Sequence, residues 1–201
     1  MSRWSGRGRA LVAALLPLAC SREIDRYLAT LVVSVPGEEP GRRVEFAARD
    51  GVWRVDFRDG RGTAALGWRG KENWILFVGG FARTRDLPAV LVRYGLPDPG
   101  DLATVPFARS RWMTGARKVP MSADVGGEAS SLWIREASDT IERFWLAERD
   151  GVPRRYERST SDGTKRVTLE WHDVRLGATL PDASFSVPPG TPGLSLPVPG
   201  L

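Results

Sequence analysis

The sequence predicts a mainly β protein that is built on one large antiparallel sheet and carries a few short helices. The first observation is a series of Asp-Gly and other Gly turns between runs of alternating apolar and polar residues, which is a strong hairpin signal. The second is the number of these runs, about nine to eleven, because meander sheets of that size curl or close into a barrel. The third is that six tryptophans fall within the runs: Trp53, Trp68, Trp74, Trp133, Trp145 and Trp171.

The N-terminal residues have the features of a secretory signal peptide. Arg3, Arg7 and Arg9 form a basic segment, and residues 10–18 form an apolar stretch that is too short to span a bilayer. We therefore expect residues 1–19 to be removed on export, which lowers the formal net charge from +5 to +2 (5 − 3). The remaining arginines are interspersed with acidic residues, a pattern typical of a solvated surface and not of a nucleic-acid interface.

Cys20 is the single cysteine, so the chain can form no internal disulfide. Its position after Leu-Pro-Leu-Ala resembles a bacterial lipobox, in which the cysteine becomes the lipidated first residue of the mature protein. Pro17 stands where a lipobox usually has leucine, and the alternative is an incidental cysteine near an ordinary cleavage site. Mass spectrometry of the mature N terminus distinguishes the two. We expect a periplasmic protein that is anchored to the outer membrane through Cys20.

Strands are expected throughout the first half of the mature chain. Ser21 can cap a helix that reaches about Leu31, or the chain runs straight into a strand. The expected strands are residues 28–35, 43–48, 52–57, 64–68 and 74–78, and the turns between them contain Pro36-Gly37, Asp50-Gly51, Asp59-Gly60 and Gly70.

The middle of the chain is less regular than the second half. Residues 86–94 are expected to form a short helix with Pro88 in its first turn, and residues 101–127 a mixture of helix and loop with at most one strand. Four consecutive strands are then expected at residues 131–136, 140–148, 153–159 and 165–171. The Pro-rich residues 192–201 are expected to be a disordered tail.

Alternation along the strands predicts a wall of apolar side chains. Trp53, Val55 and Phe57 share one face of their strand, and Trp74 and Leu76 share one face of theirs. For any single tryptophan an ordinary β core is the simpler explanation, but six in one sheet make an apolar cavity plausible. The candidate lipid-binding residues are Trp53, Val55, Phe57, Trp68, Trp74, Leu76 and Leu91.

Several short motifs follow one another over residues 24–191. Residues 49–54 match an Arg-Pro-Gly-x-aromatic-Arg segment, with Asp50 in place of the proline. The other motifs are a Gly-Lys turn before an aromatic strand (70–74), Pro-Ala-aliphatic (88–91), Gly-x-Pro (151–153), Leu-Pro-x-x-x-Phe (180–185) and Pro-Pro-Gly (188–190). In order and spacing they resemble the periplasmic lipoprotein carrier LolA and its outer-membrane receptor relative LolB.

This resemblance implies an incomplete antiparallel β-barrel over residues 20–191, with a few short helices as a lid. The hydrophobic interior would take the acyl chains of lipoproteins, in outer-membrane lipoprotein sorting or transport. Arg49 would correspond to the family's barrel arginine, which helps to hold the lid closed. Two alternatives stay open for Arg49: pairing with Asp50, or an ordinary position beside a turn.

Two other classes of function are weighed against lipid binding. A sensor or regulatory domain on the same scaffold is not separated from a carrier or receptor by the sequence. A hydrolase is disfavoured, because His172 is the sole histidine and the adjacent Asp173 would point to the opposite face of a strand. The sequence also lacks a Gly-x-Ser-x-Gly elbow, a phosphate-binding loop and a cluster of metal ligands. We expect lipid acyl chains as ligands, and no enzyme activity, cofactor, metal or nucleic-acid partner.

Overall fold

The structure, a computed structural model, describes residues 26–59, 62–69, 72–77, 79–83, 97, 102, 107–164 and 166–194. These residues form one sheet of eleven antiparallel strands. The strands are β1 (Arg26–Val35), β2 (Glu38–Arg49), β3 (Val52–Asp59), β4 (Gly62–Arg69), β5 (Glu72–Phe77), β6 (Gly80–Arg83), β7 (Arg117–Val125), β8 (Glu128–Glu136), β9 (Thr140–Ala147), β10 (Pro153–Thr160) and β11 (Arg166–Leu176). Three short 3-10 helices accompany them, at Phe107–Arg109, Arg111–Met113 and Asp182–Phe185.

The strands are ordered β6-β5-β4-β3-β2-β1-β11-β10-β9-β8-β7 across the sheet. Strands that are consecutive in the chain therefore pair with each other, with the exception of β6 and β7, and the pairing of β1 with β11 joins the two halves. Strands β6 and β7 lie at opposite edges, and no pairing in the described part of the chain joins them. The predicted mainly β fold, an incomplete antiparallel barrel, is confirmed.

The turn between β2 and β3 explains why an Asp-Gly pair stands there. Asp50 and Gly51 have φ values of 50° and 76°, and Arg49 pairs directly with Val52. A two-residue hairpin with positive φ at both central positions matches the right-handed twist of its strands, and aspartate and glycine tolerate this conformation best.

Three details differ from the expectations from the sequence. Strand β1 already begins at Arg26, so a helix reaching Leu31 is wrong and the direct run into a strand is correct. Strand β6 was not among the strands expected from the sequence. Residues 192–194, assigned to a disordered tail, pair with β6: Gly193 bridges Phe81, whose N–H donates to the carbonyl of Pro192 at 2.9 Å. The helix expected at residues 86–94 lies outside the described residues.

The core lies on one face of the sheet, here called the inner face. Along β1 every second residue is buried, because successive side chains of a strand point to opposite faces. The inner face carries one apolar cluster that runs across both halves of the sheet and includes Tyr27, Leu31, Phe46, Trp53, Val55, Phe144, Tyr156, Leu169 and Trp171. The opposite face is called the outer face. No helix among the described residues has the length and apolar character needed to cross a bilayer.

Candidate functional site

The apolar residues selected from the sequence divide between the two faces. Trp53, Val55 and Phe57 point to the inner face and are 1–4% exposed, so protein atoms already cover them. Trp68 is the register partner of Trp53 on β4. Leu91 lies outside the described residues.

Trp74 and Leu76 lie on the outer face and therefore do not join Trp53 in one site. Trp74 pairs with Gly67, and Gly67 pairs with Arg54, so these three residues share a face. The guanidinium of Arg54 lies 5.6 Å from the centre of the Trp74 ring. Alternation within β3 and within β5 was predicted correctly. The assignment of both strands' tryptophans to one wall was wrong, because alternation does not determine the register between strands.

A segment from the middle of the chain covers part of the inner face. This mid-chain cover consists of Leu102 and residues 107–114, and its apolar residues Phe107, Trp112 and Met113 belong to the same buried cluster as the inner face. The hydroxyl of Tyr27 donates a hydrogen bond to the carbonyl of Leu102. Burial raises the pKa of that hydroxyl, so Tyr27 remains a neutral donor.

Three aromatic side chains stand in line beneath the cover, and we call Trp133, Phe144 and Tyr156 the aromatic row. They are register partners on β8, β9 and β10. The Trp112 ring lies on this row, with its centre 4.4 Å from that of Tyr156 and 5.3 Å from that of Phe144. Phe107 packs edge-on against Trp112 at 5.2 Å. The cover therefore places an aromatic side chain directly on the apolar surface.

A polar latch beside the aromatic row holds the cover in place. Arg135 donates from Nη1 to the carbonyl oxygens of Trp112 at 2.7 Å and Thr114 at 3.0 Å. Its Nε donates to Glu142 Oε2 at 2.6 Å, and the Tyr156 hydroxyl donates to Glu142 Oε1 at 2.7 Å. The latch is thus Arg135, Glu142 and Tyr156, and it grips main-chain atoms of the cover.

The electrostatics of the latch favour a charged Glu142. Burial alone would raise the pKa of Glu142, but hydrogen bonds from Arg135 and Tyr156 and the charges of Arg135 and Arg158 outweigh it and lower the pKa below the ordinary value of 4.5. Burial and the nearby Glu142 carboxylate raise the pKa of Tyr156, so its hydroxyl keeps its proton. At neutral pH, Glu142 therefore orients Arg135 as a carboxylate.

Arg49, the residue mapped from the sequence onto the lid, contacts a different segment. It lies on the outer face and donates to the Leu180 carbonyl and the Asp182 carboxylate, while its guanidinium lies 5.3 Å from the Phe185 ring centre. A pair with Asp50 is also present at 3.8 Å. Residues 180–194, here called the C-terminal strap, thus cover the outer face, with Phe185 only 1% exposed. In the described residues, Arg135 and not Arg49 has the position expected of a lid-holding arginine.

His172 and Asp173 occupy an irregular part of β11. The β1–β11 register shifts there, and Asp173 has a φ of 51°. Both side chains are exposed, and His172 Nε2 lies 3.7 Å from Glu170 Oε2. They line a cleft of about 310 Å³ that also contains Arg154, itself paired with Glu128 and Asp150. Within the described ranges no group of acidic, histidine or cysteine side chains is arranged to hold a metal ion.

Sequence reasoning missed Trp112 and the latch. Trp112 stands in residues 101–127, where hydrophobic patterning is weak. The pairing of Arg135 with Glu142 could have been predicted, because the two residues lie at equal distances from the turn between two expected strands. They are register partners across that hairpin. The sequence did not indicate that both side chains lie on the inner face.

No protein-family model and no curated protein matches the sequence. Among solved structures, an uncharacterized conserved protein from Thermus thermophilus has a TM-score of 0.58 at 11% identity, over 84% of this chain and 89% of that one. A LolA superfamily protein from Nitrosomonas europaea has a TM-score of 0.36 at 12% identity, over 81% and 90%. The MucA/MucB complex of Pseudomonas aeruginosa gives 0.46 at 13%, over 88% of this chain and 59% of the matched chain.

The fold that the LolA and LolB resemblance implied is the fold observed. At these identities the likeness to solved structures concerns the fold alone. This chain also spans less than two thirds of the chain matched in the MucA/MucB complex.

Proposed function

We propose that this chain is an exported lipid- or lipoprotein-binding protein that shields acyl chains on the inner face of its open barrel, in outer-membrane lipoprotein sorting or transport. The observation that carries the proposal is the mid-chain cover on the aromatic row. Its two 3-10 helices are three residues each, and Arg135 holds the second of them and the following residue, Thr114, through carbonyl oxygens. Such a cover can leave the inner face without breaking any strand pairing.

The free energies of displacing Trp112 with its two Arg135 hydrogen bonds and of burying an acyl chain in its place are similar in size. An acyl chain of about sixteen carbons gains roughly 12 kcal/mol on leaving water, at ~0.8 kcal/mol per methylene. Exposing one tryptophan costs about 4–6 kcal/mol, and each hydrogen bond to a charged group contributes ~1.5–3 kcal/mol. Releasing Trp112 and both Arg135 hydrogen bonds therefore costs about 7–12 kcal/mol. A carrier needs this near balance, because it must also release its cargo.

The proposal includes the expectations for the N terminus. Residues 1–19 act as a signal peptide, and a lipid on Cys20 anchors the mature protein to the outer membrane. The protein works by sequestering hydrocarbon and not by catalysis.

A sensor or regulatory domain that binds a protein is the second candidate. Strand β7 favours it, because β7 is an edge strand and Met121 on it is 53% exposed. Extended peptides can add to such an edge. Against it, the β7–β8 register is irregular between Lys118 and Ser122, where Pro120 lies, and irregular edges with proline pair poorly.

Two arginine variants test the lipid-binding proposal. We expect the delipidated protein to take up a fluorescent fatty acid, and Arg135→Gln to bind it at least ~100-fold more tightly, because the closed state loses two hydrogen bonds worth ~1.5–3 kcal/mol each. Titration by fluorescence, with native mass spectrometry for stoichiometry, measures this.

Arg49→Gln is the matched control, because Arg49 holds the C-terminal strap on the outer face. We expect its fatty-acid affinity to equal that of the wild type. If neither the wild type nor Arg135→Gln takes up fatty acid or lipopeptide, the lipid-binding proposal is wrong. A stronger effect of Arg49→Gln than of Arg135→Gln would show that the cover does not control the site.

A further inference from the structure

We propose that the Trp112 ring occupies the binding site of the ligand. An acyl chain displaces the ring and binds in its place along the aromatic row. This inference rests on the proposed function and gives it a location. The site is then on β8 to β10, and not on the β3 to β5 half that the sequence indicated.

The contacts of Trp112 carry the argument. Its ring touches both Phe144 and Tyr156, and it is 8% exposed although it belongs to a three-residue 3-10 helix with no side-chain cap. The ring is therefore enclosed between the aromatic row of the inner face and Phe107 of the cover. A surface that accepts the flat, largely apolar indole of Trp112 also accepts a hydrocarbon chain, because apolar burial is not directional.

The aromatic row also provides an entry route for the acyl chain from the edge of the sheet. Trp133 packs against the buried cluster but is only partly buried, whereas Phe144 is 1% exposed. Trp133 is the register partner of Lys118 on the edge strand β7. The row therefore runs inward from the edge of the sheet, and an acyl chain entering there meets Trp133 first and displaces Trp112 next.

The latch is placed so that the same movement releases the cover. Tyr156, the inner end of the aromatic row, donates to Glu142, which in turn orients Arg135 on the Trp112 carbonyl. Tyr156 contacts the Trp112 ring directly and is linked through Glu142 and Arg135 to the Trp112 carbonyl. An acyl chain bound against Tyr156 therefore displaces the ring and disturbs the hydrogen bonds that hold the backbone of Trp112.

Trp112→Ala tests the inference, and Trp145→Ala is the matched control. Trp145 lies on β9 next to Phe144 but on the outer face, beneath Arg155, whose guanidinium is 5.5 Å from its ring centre. We expect palmitate to bind Trp112→Ala about tenfold more tightly than the wild type, because the protein's own competitor is gone. We expect no gain for Trp145→Ala.

A loss of palmitate affinity in Trp112→Ala that exceeds the loss in Trp145→Ala would overturn the inference, since Trp112 would then belong to the wall of the site. If the wild type and both variants fail to bind palmitate, the proposed function and the inference fall together.

A second measurement uses the wild-type protein and so does not depend on the folding of a variant. A diazirine-labelled palmitate is photo-crosslinked, and the labelled peptides are mapped by mass spectrometry. We expect labels on Phe144 or Tyr156 and on Trp133. Labels confined to Trp53, Val55 or Phe57 would overturn the inference while leaving the proposed function standing.

Discussion

Gly67 and Trp74 illustrate how one missing side chain makes room for another. They face each other across β4 and β5 on the outer face, and Trp74 is 5% exposed although it points away from the main core. A Cβ atom on Gly67 would overlap the Trp74 ring. Glycine is therefore required here by close packing and not by a turn.

Gly67→Ala is expected to lower the free energy of unfolding by about 1–3 kcal/mol, because the overlap must be relieved by moving a packed indole. Urea denaturation of Gly67→Ala, Trp74→Leu and the double variant measures the coupling between the two sites. We expect the double variant to be less destabilised than the sum of the two single changes. Strict additivity would show that the cost of Gly67→Ala does not come from the Trp74 ring.

At the scale of elements, the C-terminal strap protects an edge that has no other protection in the described residues. Strand β7 carries Lys118, Pro120 and a register irregularity, which discourage pairing with other chains. Strand β6 is a regular strand, and residues 192–194 pair with its free edge, opposite β5. There the Leu194 N–H donates to the Phe81 carbonyl at 2.7 Å. The two edges of the same sheet are thus closed by different means.

Deleting residues 192–201 is expected to expose the β6 edge. Hydrogen exchange of the Phe81 amide should become faster, because its hydrogen bond to the Pro192 carbonyl is lost, whereas the Leu169 amide in the middle of the sheet should not change. Gly80→Ala is a milder version, because a Cβ there would lie 2.8 Å from both the Leu194 side chain and the Pro192 carbonyl. Unchanged protection at Phe81 in both variants would show that the strap does not protect this edge.

The strands were predictable from the sequence, but the face of the sheet on which each side chain lies was predictable only in part. Hairpin order follows from local turn chemistry such as Asp50-Gly51, and alternation within β3 placed Trp53 and Val55 together correctly. The failure came at Trp74, because the register between β4 and β5 is decided by packing against Gly67, a contact that no local pattern reports.

The candidate site was predicted less well than the fold. The cover has 3-10 helices of three residues, which leave no periodic pattern, so Trp112 could not be recognised. Arg49 was selected as the lid contact because its turn motif resembles that of the LolA and LolB family. In the structure Arg49 lies on the outer face, and it therefore contacts the C-terminal strap. Arg135 performs the corresponding contact from another strand, which sequence position alone cannot indicate.

On the scale of the whole molecule, we expect the proposed release of the cover to depend on pH through Glu142 of the latch. Glu142 stands between Arg135 and Arg158 as their register partner, and its other hydrogen-bond partner is Tyr156. These interactions lower the pKa of Glu142 in the closed protein below 4.5. Release of the cover removes the two carbonyl oxygens that fix Arg135 beside Glu142, and we expect a less firmly fixed Arg135 to raise the pKa of Glu142 toward the ordinary value. The open form therefore binds a proton more tightly than the closed form, and acid favours opening.

We expect the fatty-acid affinity of the wild type to rise as the pH falls below 4.5, the ordinary pKa of a glutamate, because protonation of Glu142 weakens its hold on Arg135. Glu142→Gln should bind more tightly than the wild type at neutral pH and should lack this part of the pH dependence. Asp162 titrates only at lower pH, since hydrogen bonds from Thr160 and Thr164 hold its pKa at about 2. Fluorescence titrations at each pH, with circular dichroism to verify that both proteins stay folded, provide the comparison. Equal pH dependence in the wild type and Glu142→Gln would mean that another group, and not the latch, couples protons to the cover.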